Sequence, residues 1–122
     1  MAETWEVRKT KSTPERIVER ITGTTPRGIV PEDGLFLTVT VDRQAAEGGF
    51  VVYLVLAHGA DDRCWAVQWG VSTKLTDIWS SIVRATFPHA DGGQGLVPVA
   101  MMVDSGWNTR DTYQFCETHP RV

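Results

Sequence analysis

Two apolar, β-branched runs constrain this chain more than anything else in it: "LFLTVTV", Leu35 to Val41, and "FVVYLVLA", Phe50 to Ala57. Each is short for a helix and rich in Val, Leu and Phe. They read as strands buried on both faces. A third run, "RCWAVQWG", alternates apolar and polar side chains in the manner of a half-buried strand. The connections "RQAAEGG" and "HGADD" are turn-prone and short, which favours an antiparallel meander.

The period then changes. Leu75, Ile78, Trp79, Ile82, Val83 and Phe87 recur at helical spacing, with Ser72 or Thr73 as the expected N-cap. "PHADGGQG" breaks that helix, and "LVPVAMMVD" is a fourth strand reached by a helical crossover, hence expected to be parallel to one of the first three. Pro98 lies near its start, where a missing N–H is tolerated. "NTRDTYQFCET" closes the chain as a second helix, with Asn108 and Asp111 at capping-box spacing. The order β-β-β-α-β-α predicts an α/β domain with a mixed sheet over residues 35–122. Residues 1–34 are polar and hold three of the six prolines. They are expected to form an arm or linker with one short helix, capped by Ser12 or Thr13, carrying Pro14 in its first turn and Ile17, Val18 and Ile21 along it.

Length and charge narrow the function. A chain of 122 residues is one domain by the usual prior, and a net charge of −3 argues against nucleic-acid binding by bulk electrostatics alone. It leaves room for an enzyme acting on nucleic acid, because a carboxylate site that holds cations is itself acidic. Cys64 and Cys116 are isolated and expected to be reduced, buried thiols. "MAETWEVRKTK" has no apolar core of a signal peptide, and the apolar runs fall well short of the ~20 residues that span a bilayer. The expectation is a soluble, intracellular protein with no membrane partner.

The first and fourth strand-like runs both end on a carboxylate, Asp42 and Asp104. If those strands are adjacent and parallel, the two acids share the carboxyl end of the sheet about 5 Å apart. Such carboxylates repel each other, and a divalent cation between them removes the conflict. Oxygen ligands suit Mg²⁺ or Mn²⁺, and a pair of such ions about 4 Å apart is the usual device for in-line phosphodiester cleavage. The plainer alternative is that each is a turn-initiating aspartate. Around the pair, Gln44 has the reach to touch a metal-bound water or a phosphate, and Arg43 and Arg110 flank the acids, either as phosphate contacts or as ordinary surface arginines. Ser105 and Gly106 shape the turn, Gly106 allowing close backbone approach. No G-x-S-x-G elbow surrounds Ser105 to make it a nucleophile. Asp111 has two readings, a further acid of the site or a solvated carboxylate at a helix start, and the second is favoured. Trp107 either stacks on a base or packs against the last helix, with packing favoured. Trp65, Trp69 and Trp79 are expected in or near the core. His58, His89 and His119 lack metal-ligand spacing, and His89 is expected to structure its loop.

Four segments carry a family resemblance: "RGIVPEDGLFLTVTVDRQ", "RCWAVQWG", "TFPHADGG" and "VPVAMMVDSGWNTRDTYQFC". In this order they resemble the nuclease domain of phage terminase large subunits of the lambda-like family, over roughly residues 27 to 118. The resemblance implies an RNase H-like fold in which an antiparallel meander precedes parallel strands, with Asp42 and Asp104 as the first and second metal-binding carboxylates. It implies Mg²⁺ or Mn²⁺ as cofactor, two ions per site, and double-stranded DNA as substrate in the cytoplasm of a bacterial host. It also implies the terminase ATPase domain, the small terminase subunit and the portal as partners in the full system. The family's third acid lies on a later element, and the chain is expected to be a truncated domain, with Asp111 the candidate replacement. No G-x-x-x-x-G-K-[ST] occurs, so this segment is not the motor. Outside this family, the expected alternatives are another RNase H-like nuclease, such as a resolvase or transposase core, or a non-catalytic module that docks DNA or packaging partners.

Overall fold

The computed structural model describes residues 13–20, 25–45 and 48–122. Ser12 and Ile21 lie outside the described residues. A short helix α1, Pro14–Glu19, is capped by the Thr13 hydroxyl, which accepts from the Arg16 N–H, and none of its residues is buried. The sheet follows as β1 (Phe36–Gln44), β2 (Phe50–His58) and β3 (Cys64–Ser72). Helix α2, Leu75–Ile78, runs directly into a π-helical segment, Trp79–Val83, and strand β4, Ala100–Val103, comes next. Helix α3, Thr109–Thr118, closes the domain.

The strand order is β3-β2-β1-β4. β1 pairs antiparallel with β2, Val39 opposite Val55, and parallel with β4, Val39 beside Met101. A three-stranded meander with a parallel fourth strand reached through a helix is thus present, an α/β arrangement consistent with an RNase H-like fold. The order follows from burial. Leu37, Val39 and Val41 of β1, Val51 and Val55 of β2 and Met101 of β4 are buried together with Leu75, Ile78, Val83 and Phe115 from the helical layer. Residues 28–34 join the same body: Val30 is fully buried and bridges His89, while Gly28 N–H donates to the Val67 carbonyl. His89 organises its loop, donating from Nε2 to the Gly34 carbonyl at 2.9 Å.

Several local expectations are corrected. β2 is not buried on both faces; its burial alternates residue by residue, because helices cover only one face of the sheet. On the other face Trp69 is 56% exposed, with the Arg27 guanidinium lying over its ring. Cys64 and Cys116 are free thiols as expected, but Cys64 is exposed on edge strand β3 and Cys116 is half-buried. Neither Ser72 nor Thr73 caps α2. Pairing with Val51 keeps Ser72 in β3, and the cap position falls to Lys74, which makes no side-chain cap bond. Phe87 is buried but lies beyond the helix, in a bridge with Leu96. The Asn108–Asp111 capping box does not form: Asn108 takes a left-handed backbone (φ 50), which Asn tolerates, and Asp111 is engaged elsewhere.

Candidate metal and phosphodiester site

The ladder register brings the two aspartates together. Val41 lies beside Val103, and the Asp104 N–H donates to the Val41 carbonyl at 2.9 Å. The next residues on the two strands are therefore Asp42 and Asp104, on backbones about 5 Å apart. Side chains alternate across a strand. With Leu37, Val39 and Val41 in the core, Thr38, Thr40, Asp42 and Gln44 project from the opposite, helix-free face. Asp104 is the first residue past β4, and the alternation that buries Met101 and exposes Met102 puts it on that same face when continued by one step.

Both carboxylates are exposed, and each is held through one oxygen. Gln44 Nε2 donates to Asp42 Oδ2, and the Gly106 N–H donates to Asp104 Oδ1 at 3.1 Å. The second oxygen of each, Asp42 Oδ1 and Asp104 Oδ2, has no hydrogen-bond partner among the described residues. Two anionic oxygen donors with a free oxygen apiece, and no sulfur or imidazole beside them, fit a hard divalent cation. Among the described residues no group of three or more His, Cys, Asp and Glu side chains assembles.

The remaining site candidates divide between the two faces. Ser105 is half-buried, and its carbonyl accepts from the Thr109 hydroxyl at 2.6 Å, tying the turn to the start of α3. Arg110 is exposed on α3. Arg43 turns away from its neighbour Asp42 into the helical face, where its side chain is only 12% exposed. There its Nη1 donates to Asp111 Oδ2 at 2.9 Å and to Thr112 Oγ1 at 3.0 Å, and its guanidinium lies 5.3 Å from the centre of the Trp107 ring. Asp111 is thus occupied by an arginine across the sheet from Asp42, and Trp107 packs beneath the same arginine. A cleft of about 430 Å³ opens on this helical face between α2 and α3, with Arg43, Lys74, Gln114 and His119 on its walls. It lies behind the aspartate pair, so the acids occupy an open strand end rather than a cavity. The Arg43–Asp111–Thr112–Trp107 cluster escaped the reading of the sequence. One signal was available: Arg43 has the strand parity of the buried Val39 and Val41.

A mixed sheet of three antiparallel strands and one parallel strand, with helices, is an α/β fold consistent with the RNase H-like kind. The chain matches the family model of the terminase large subunit gpA endonuclease domain over residues 1–122, and it belongs to that family. No curated protein and no solved structure matches it. No helix among the described residues is long and apolar enough to cross a membrane.

Proposed function

We propose that this chain is a divalent-metal-dependent DNA endonuclease domain of a phage or prophage terminase large subunit, cutting viral DNA during genome packaging. One observation carries the reading: Asp42 and Asp104 emerge side by side, on one open face, from the ends of two parallel strands. Membership of a packaging-nuclease family supports it. Asp42 and Asp104 would hold Mg²⁺ or Mn²⁺, with Gln44 and the Gly106 N–H fixing the rotamers that present the free oxygens. When bound, such ions supply an activated water and charge neutralisation at the scissile phosphate. The protein's own part is to keep two like charges in register and to leave the face in front of them clear for a duplex backbone. Double-stranded DNA is the proposed substrate. The motor domain, the small subunit and the portal are the proposed partners, and the host cytoplasm is the proposed location.

A plasmid-nicking assay in Mg²⁺ or Mn²⁺ tests this, with Asp42→Asn and Asp104→Asn beside the parent. Metal-dependent nicking by the parent and its loss in both variants is the expected result. A folded parent that neither nicks nor binds Mn²⁺ overturns the reading. It would favour the second reading, a non-catalytic docking module, for which one observation speaks: no third carboxylate joins the pair among the described residues.

A further inference from the structure

Arg43 sits where the ladder between β1 and β4 stops. The paired residues end at Val41 and Val103, yet β1 continues to Gln44, carrying Asp42 beyond the last cross-strand pair on that side. Past that point β1 is held on the β2 side, by Asp42 opposite Val52 and Arg43 opposite Val51. Toward β4 the chain has already turned into the loop that leads to α3. The side chain of Arg43 spans this gap. From the residue after Asp42 it reaches Asp111 and Thr112 at the start of α3, and it lies over Trp107, three residues after Asp104. Among the described residues it makes the only side-chain hydrogen bonds between β1 and the segment that runs from Asp104 into α3. Sequence reading assigns Arg43 a phosphate contact; burial of the guanidinium against α3 points to a different task.

We propose that Arg43 is a positioning residue that sets the separation of Asp42 and Asp104 from behind the sheet, and so sets the divalent-cation affinity of the pair. This rests on the proposed metal role of the two aspartates. The two ideas are separable because charge and positioning act in opposite directions here. Arg43 is a cation, so its removal lowers the positive potential near the acids and leaves Asp111 uncompensated. Both changes attract a divalent ion more strongly. If Arg43 acted through its charge alone, a neutral substitution would tighten cation binding. If it holds the geometry, the same substitution weakens binding despite the more favourable field. Side chains that hydrogen-bond a metal ligand typically change affinity by about 10- to 100-fold when removed, and Arg43, which bonds neither aspartate directly, belongs at or below the lower end of that range.

The experiment is a Mn²⁺ titration of the full chain, reading free ion by electron paramagnetic resonance, for the parent, Arg43→Met, Arg43→Lys, Asp42→Asn and Asp104→Asn. Arg43→Met keeps an apolar stem of similar length against Trp107 while removing the charge and both hydrogen bonds. The expected result is a dissociation constant at least about fivefold higher for Arg43→Met, after subtraction of the opposing field effect from the outer-ligand range. Arg43→Lys retains the charge but reaches Asp111 and Thr112 with a single point donor, and it shows a smaller loss in the same direction. Unchanged or tighter Mn²⁺ binding by a folded Arg43→Met overturns the proposal while leaving the aspartate site standing. If Arg43→Met does not fold, Arg43→Lys decides by the same criterion. Parent-like binding by Asp42→Asn and Asp104→Asn overturns the site itself, and the positioning role with it.

Discussion

Replacing Thr112 by Val tests the geometry behind the acid pair through stability alone, with no metal or DNA present. Thr112 is 1% exposed, on the first turn of α3. Its hydroxyl accepts from Arg43 Nη1 at 3.0 Å and donates to the Asn108 carbonyl at 3.2 Å. Valine has nearly the same volume and the same β-branching, so the substitution removes two hydrogen bonds with little change in packing or χ1 freedom. The Asn108 carbonyl keeps the Thr112 N–H at 3.1 Å, so losing the hydroxyl there costs little. The bond to the guanidinium is charge-assisted and half-buried, a class worth about 1.5–3 kcal/mol. The expected loss is therefore about 2 kcal/mol. With an unfolding entropy of about 2.1 cal/mol/K per residue, a chain of 122 residues converts that into a fall in melting temperature of about 8 °C. Scanning calorimetry of parent and variant measures it. Thr118→Val is the control, because that hydroxyl bonds only within its own exposed turn, to the Gln114 and Phe115 carbonyls and to His119 Nδ1, and a fall under about 2 °C is expected for it. In an Arg43→Met background the Thr112→Val penalty should shrink by about 1–2 kcal/mol, the coupling of a direct contact. A fall below about 2 °C for Thr112→Val in the parent background, or full additivity with Arg43→Met, would refute the reasoning.

Two further outcomes are expected. Leu37 is fully buried at the centre of β1, and Leu37→Ala should destabilise the domain by about 3 kcal/mol, read as a lower urea midpoint with an unchanged slope. At Gly106 an added Cβ would stand 3.4 Å from Asp104 Oδ2 and 3.5 Å from Oδ1, both at ordinary contact distance. Gly106→Ala should therefore melt with the parent but bind Mn²⁺ about tenfold more weakly, since the methyl crowds the Asp104 carboxylate beside its free oxygen, at the lower end of the roughly 10- to 100-fold effects seen when the surroundings of a metal ligand change. Equal Mn²⁺ affinity would show that the free oxygen of Asp104 is not where an ion sits.

The strands were the most legible part of the chain, because hydrophobic burial writes itself directly into runs such as Leu35–Val41. That the fourth strand runs parallel to one of the first three was legible from the helical crossover, but which one it joins was a supposition until the ladder between β1 and β4 decided it. Which face each strand would bury was harder. "FVVYLVLA" is apolar at every position, yet the fold covers one side of it, so composition overstates its burial. Helix starts were misplaced for a tertiary reason: pairing with Val51 outbid the capping tendency of Ser72, and Arg43 outbid the capping box for Asp111. The same cause hid the role of Arg43. A lone arginine beside an aspartate reads as a surface phosphate contact until strand parity is followed one residue beyond the apolar run.

Alternation along β1 has a consequence for how this segment tolerates change in length. Asp42 and Arg43 are consecutive, joined by one planar peptide, and they look out on opposite sides of the sheet. Inserting or deleting a single residue between Leu37 and Asp42 would reverse every side chain beyond it, driving the carboxylate toward the apolar layer and the guanidinium into solvent. Such a change cannot be absorbed by a neighbouring loop, because β1 is paired on both sides. The sheet does carry one odd residue, but elsewhere: between the pairs Val55–Gln68 and Leu56–Ala66, β3 accommodates Val67 as a bulge. The edge strand can take an extra residue and keep its partners. The acid-bearing strand has to be read in steps of two.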